Sequence, residues 1–168
     1  MKVYLIGFKN SGKTTAGRKL ARKLKLNFLD LDDLIEKNDG RTVPEIFSQD
    51  GEDVFREKER SALQQTAGMD KVVISTGGGV PRFFNNMDFM LENGTTVYLK
   101  LDEDTLVGRL RIAAQNRPIL KGKSPEEIRS YVQDLLRDYE HYYLRAKYVV
   151  DAKNLAPEEI VSRVLENY

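Results

Sequence analysis

Gly7-Phe8-Lys9-Asn10-Ser11-Gly12-Lys13-Thr14 completes the pattern G-x-x-x-x-G-K-[ST], and its residue types are the ones a polyphosphate demands. Phosphate oxygens need converging backbone N–H donors, and glycines let the chain curl closely around them. A β-branched run, Lys2–Ile6, precedes the motif, and a helical stretch from Thr14 follows it. That order aims the positive end of the helix dipole at the anion. Lys13 reaches the β- and γ-phosphates, and the Thr14 hydroxyl suits Mg²⁺. Lys9, Asn10, Ser11, Gly12, Lys13, Thr14 and Thr15 form the expected ATP cradle. A glycine turn matching the pattern by chance would lack this strand-before, helix-after context.

Two further clusters lie after later β-branched runs, and two arginines lie elsewhere. Asp30, Asp32 and Asp33 end the second, Asn27–Asp30. In an extended chain Asp30 and Asp32 point to one side. Beside a phosphate site, one acid would order magnesium through water and the other would face an acceptor hydroxyl. The plainer alternative is that Asp32 or Asp33 caps a helix over Leu34–Asn38. Gly77-Gly78-Gly79 ends the third run, Lys71–Ser75, where glycines serve close backbone approach or positive φ. Arg56 lies in the charged stretch Glu52–Glu59, and Arg117 in the segment Gln115–Lys123 between two helical stretches. A basic loop in that place has the makings of a lid that brings a cation to the transferring phosphoryl group.

The elements that must position these groups alternate in a βαβ manner. Thr95–Lys100 and Tyr148–Asp151 complete five candidate strands. Thr14–Leu24, Glu52–Ala67, Arg82–Glu92, Asp104–Ala114, a helix capped by Ser124, and Pro157–Glu166 read as helices. Such alternation implies a parallel sheet covered on both faces, with ligands at the carboxyl ends of its strands. The 168 residues favour one domain, 1–168. A net charge of +1 provides no global field for nucleic acid or an anionic membrane, so an anion must be held by a local cluster. The absence of cysteine excludes disulfides and thiolate chemistry and fits a cytoplasmic protein. No apolar run reaches membrane-spanning length.

GFKNSGKTTAGRKLA, FLDLDDLIE, IFSQDGEDVFREKE, STGGGV and NRPIL together resemble, in order and across essentially the whole chain, the shikimate kinases. The resemblance implies an α/β, three-layer P-loop kinase fold: a five-stranded parallel sheet flanked by helices, with a mobile lid at about 112–124. Substrate-binding helices would occupy about 32–62. The implied reaction moves the γ-phosphate of ATP to the 3-hydroxyl of shikimate, with Mg²⁺ as cofactor. Shikimate and ATP would be its partners, in a cytoplasmic monomer without nucleic-acid or membrane contacts. By this resemblance Lys13, Asp32 and Arg117 are catalytic, and Arg117 is also the lid arginine on ATP. Thr14 ligates Mg²⁺, and Asp30 holds it through water. Asp32 positions or deprotonates the acceptor hydroxyl. Arg56 pairs with the substrate carboxylate, supported by Gly77, Gly78 and Gly79; Glu59 orients Arg56; Phe47 and Phe55 line the ring pocket. Arg109 or Arg111 flanks the adenine.

The chain departs from the family pattern twice. Asn10 stands where a glycine is usual. The second carboxylate-binding arginine, which the family places four residues before a tyrosine, is out of register in Arg137-Asp138-Tyr139-Glu140-His141-Tyr142. Arg137 is the assignment there, with Arg145 the substitute. A gluconate or nucleoside monophosphate kinase is the nearest alternative enzyme. A nucleotide-dependent switch is the non-enzymatic alternative, although no Asn-Lys-x-Asp element comes after the strand at Leu99–Asp102.

Overall fold

In the computed structural model, which describes residues 1–114 and 122–166, five strands form one parallel sheet. They are β1 (Lys2–Ile6), β2 (Asn27–Asp30), β3 (Val72–Ser75), β4 (Thr95–Lys100) and β5 (Tyr148–Asp151), in the order β2-β3-β1-β4-β5. β1 and β3 are buried throughout, which is why they read as continuous apolar runs rather than alternating ones. Leu5 of β1 and Asp30 of β2 both pair in register with Ser75 of β3. The carboxyl ends of three strands therefore finish side by side, and the segments that leave them share one crevice.

Among the described residues seven α-helices surround the sheet: α1 (Lys13–Leu24), α2 (Leu31–Asp39), α3 (Val43–Gln65), α4 (Asn86–Asn93), α5 (Glu103–Ala114), α6 (Pro125–Tyr143) and α7 (Pro157–Glu166). Gly17 lets α1 lie directly on the sheet. A Cβ there would meet Phe28 Cε2 at 2.7 Å and Leu5 Cδ1 at 3.0 Å, closer than side-chain carbons approach. α6 opens on the expected Ser124 cap, completed by Glu127 as a capping box. Among the described residues, no helix is long and apolar enough to cross a membrane.

Of the boundaries that differ from the sequence expectation, four have a clear local reason. β3 starts at Val72 because Lys71 has φ 53°. α2 starts at Leu31, so Asp30 is the cap and Asp32 lies in the first turn, not in a strand beside Asp30. α3 starts at Val43, nine residues before the expected Glu52, because Thr42 and Glu45 form a capping box; Gly51 (φ 83°, ψ 176°) breaks its regularity midway. Arg82 belongs to a 3₁₀ turn, Val80–Arg82, rather than to α4, which begins at Asn86. Arg117, and Gln115–Lys121 of the expected lid, lie outside the described residues.

Candidate functional site

The loop after β1 is built from unusual backbone angles. Gly7 (φ 139°) and Gly12 (φ 95°) take conformations that L side chains rarely adopt. Asn10 stands at φ 65°, a region that asparagine enters more readily than most residues. The loss of a glycine there is therefore well tolerated. Gly12 is also the N-cap of α1, so the loop delivers its N–H groups into the first turn of that helix.

Lys13 is buried, and its ammonium donates to Gly7 O (2.8 Å), Phe8 O (2.7 Å) and Ser11 Oγ (3.4 Å). Burial pushes its pKa down to about 8, against the opposing pull of Asp32 and Asp30. A phosphate placed beside it would supply the negative charge that favours the ammonium. Arg109 of α5 donates to Asn10 O at 2.9 Å and so reaches the loop, whereas Arg111 is exposed. Lys9, Thr14 and Thr15 are exposed along the rim.

Beside Lys13 lies a cluster of hard oxygen donors. Thr14 Oγ1 donates to Asp30 Oδ2 (2.8 Å) and lies 3.3 Å from Ser75 Oγ. Asp30 Oδ1 accepts from the Asp32 amide at 3.1 Å, so capping α2 and facing the cluster are one arrangement. Two hydroxyls and one carboxylate suit Mg²⁺, which binds few protein groups and keeps water on its other positions. Ser75 was not singled out in the sequence. Its signal is its place as the last residue of β3, paired with Asp30.

The second half of the crevice is built around Arg56. Arg56 donates to Glu59 (2.9 Å) and Glu52 (3.1 Å), and its side chain is only 13% exposed. Burial pushes the Glu59 carboxyl up to about 7 even with Arg56 beside it. Phe47 and Phe55 pack at 4.3 Å between ring centroids, and both lie within cation–π range of Arg56. Asp32, half-buried near Lys13 and Lys9, has its pKa raised, first by burial and then by Asp30.

The triple glycine packs between these parts. A Cβ on Gly77 would meet Glu59 Oε1 at 2.7 Å, and one on Gly78 would meet the Lys9 amide nitrogen at 3.2 Å. One on Gly79 would overlap the Arg56 guanidinium. None of the three has positive φ; close approach, not backbone freedom, explains them. The Tyr143 hydroxyl of α6 donates to Gly78 O at 2.6 Å and ties that helix to the turn.

The structure does not bring Arg137 to this pocket. Its side chain is 70% exposed and pairs with Asp134 (3.0 Å) and Asp138 (3.4 Å) on its own helix. It falls on the outer side of α6, away from the face that buries Ile128, Val132 and Tyr143. Arg145 pairs with Asp88 of α4 at the surface. The arginine that shares an aromatic neighbour, Phe83, with Arg56, and that sequence reasoning missed, is Arg82. Its guanidinium lies 5.6 Å from the Phe83 ring centroid and 4.7 Å from that of Tyr139. The mistaken helix start at Arg82 hid it.

Residues 9–168 match the family model described as shikimate kinase. The chain is 43% identical over 160 residues to a shikimate kinase of Parabacteroides distasonis, covering 95% of this chain and 92% of that protein. It superposes on the crystal structure of a shikimate kinase from Bacteroides thetaiotaomicron with a TM-score of 0.90 at 42% identity, covering 99% and 97% of the two chains. A shikimate kinase from Acinetobacter baumannii, solved in complex with shikimate, superposes with a TM-score of 0.88 at 32% identity, covering 98% and 90%.

Proposed function

The chain belongs to the shikimate kinase family, and we propose that the two halves of its crevice divide the transfer of the ATP γ-phosphate to the shikimate 3-hydroxyl between them. The observation that carries this reading is the shared crevice. Asp32 lies near both Lys13, beside the Thr14–Asp30–Ser75 oxygens, and the buried Arg56–Glu59 pair.

On the phosphate side, the loop's N–H groups and Lys13 bind the β- and γ-phosphates and offset charge on the transferring group. Thr14 and Asp30, with Ser75, would hold Mg²⁺, Asp30 through water; the bound ion supplies neutralisation of the β- and γ-oxygens. Arg109 binds the nucleotide end of the loop, and Arg117 is the lid cation from about 112–124. On the acceptor side, Arg56 takes the carboxylate through charge-assisted hydrogen bonds, and Glu59 and Glu52 hold its fork in place. Phe47 and Phe55 flank the ring, and the backbone of Gly77–Gly79 closes the far wall.

Asp32 accepts a hydrogen bond from the 3-hydroxyl and so orients its oxygen toward the γ-phosphorus. The new O–P bond forms as the bond to ADP breaks, and the hydroxyl proton passes to Asp32. Its raised pKa favours that transfer, although a loose transition state asks little of the base. The protein acts as a cytoplasmic monomer of one domain, with the helices at about 32–62 forming the acceptor-binding part. Neither nucleic acid nor membrane is a partner.

The test is ADP release from ATP and Mg²⁺ with shikimate, gluconate and a nucleoside monophosphate offered separately. Turnover confined to shikimate is the expected result. Turnover confined to another acceptor would leave the phosphate half standing and remove the acceptor half.

A further inference from the structure

We infer that Arg82 is the second arginine of the acceptor pocket, binding the substrate carboxylate from the side opposite Arg56. The inference rests on the shikimate reading of the crevice and names a residue that neither the sequence motifs nor the family relationship assigns.

Three observations converge on Arg82. The first is position. The guanidinium carbons of Arg56 and Arg82 lie 4.2 Å and 5.6 Å from the centroid of the same ring, Phe83. They are therefore within about 10 Å of each other, a gap that one carboxylate spans by accepting N–H···O⁻ bonds of about 2.7–2.9 Å from both sides. The second is anchoring. The Arg82 amide donates to Gly79 O at 3.0 Å, and buried Pro81 precedes it. The backbone that abuts the Arg56 guanidinium at Gly79 thus also fixes where Arg82 starts.

The third is an unmet charge. Arg41 meets Asp39 and Asp50, and Arg56 meets Glu52 and Glu59. Arg82 is half-buried between Phe83 and Tyr139 and meets no carboxylate among the described residues. A partly desolvated guanidinium held on two aromatic faces keeps its N–H fork for an anion that arrives. Tyr139 belongs to the inner side of α6: its ring lies 6.4 Å from that of Tyr143, whose hydroxyl binds Gly78 O. So α6 contributes an aromatic backing for Arg82, while its own Arg137 faces outward.

The experiment compares wild type with Arg82→Met, Arg82→Lys and Arg137→Ala, measuring KM and kcat for shikimate, for its methyl ester and for ATP. Methionine keeps packing on Phe83 and Tyr139, and unchanged thermal unfolding confirms that each variant is folded. Arg82→Met should raise the KM for shikimate by about tenfold and leave that for ATP within about twofold. The methyl ester, which cannot present two anionic oxygens, should suffer far less from the same change. Arg82→Lys should fall between the two, because charge returns without the fork. A rise below about threefold for shikimate overturns the inference. So does an equal penalty for acid and ester, which would mark a purely structural arginine, or a tenfold rise produced by Arg137→Ala instead. Absence of wild-type turnover with shikimate strikes the substrate reading itself, and this inference falls with it.

Discussion

The two halves of the crevice are built in opposite ways. The phosphate half centres on a single stretch, Gly7–Thr14, whose shape comes from its own backbone angles and whose lysine binds carbonyls five and six residues away; Asp30, Ser75 and Arg109 only border it. The acceptor half is assembled from four separate places in the chain: Asp32 in α2, the Phe47–Glu59 stretch of α3, the Gly77–Phe83 turns, and Tyr139 and Tyr143 in α6. A polyphosphate presents the same oxygens to every enzyme, so one local nest suffices. A small hydroxy acid must be recognised from several directions at once, and only the fold brings those directions together.

Removing the cation of the local half should have the largest effect. Lys13→Ala should lower kcat by roughly 10²–10³-fold while the far-ultraviolet circular dichroism stays native, since the ammonium acts on phosphate charge. Unchanged kcat would break the division outright. Arg56→Ala comes next. Losing charge-assisted hydrogen bonds of about 1.5–3 kcal/mol each should raise the shikimate KM by roughly 10–100-fold and leave the ATP KM nearly unchanged. An equal rise in both would show that the halves are not separable.

Gly79→Ala sharpens the same point with a smaller change. Gly79 has φ −80°, which alanine tolerates, so the added methyl acts only by displacing the Arg56 guanidinium. The shikimate KM should rise by roughly three- to tenfold with little loss of thermal stability. A large drop in unfolding temperature, with KM unchanged, would assign the glycine to the fold instead.

The smallest effect is the pH dependence of Glu59. Its carboxyl is raised to about 7 in the folded protein, above the usual value near 4.5. Between those two values the unfolded chain has already lost the proton that the folded chain keeps, so rising pH favours unfolding there and has no further effect above the upper value. The unfolding temperature of wild type should therefore fall, relative to Glu59→Gln, as the pH rises from about 5 to about 8. A gap that widens in wild type's favour would mean that Arg56 outweighs burial.

The two halves were also unequally legible. Gly7–Thr14 could be read directly, because backbone curvature and lysine reach are properties of neighbouring residues. The five strands were placed within one residue, most simply β1 and β3, since fully buried parallel strands leave apolar runs. Helix starts were harder. Asp30 caps α2, where capping by Asp32 or Asp33 was the plainer alternative to a functional role, and all three are residues that favour that position. The start of α3 at Val43 depends on a capping box whose members look like ordinary loop residues in one dimension.

The acceptor half shows the limit most plainly. Arg137 and Arg82 are the same residue type, and composition does not distinguish them. They are separated by the rotation of α6 about its axis, which turns Tyr139 inward and Arg137 outward, and by the 3₁₀ turn that carries Arg82 onto Phe83. The sequence by itself determined the phosphate loop, the parallel sheet and the cluster of acids at its edge, because each depends on residues close in the chain or on a simple periodicity. Only the tertiary structure decided which arginines gather on Phe83, which hydroxyl joins Thr14 and Asp30, and why three glycines stand together. Those depend on approach between segments far apart in the chain, such as Gly78 and Tyr143, 65 residues apart, and such approach leaves no periodic trace in the chain.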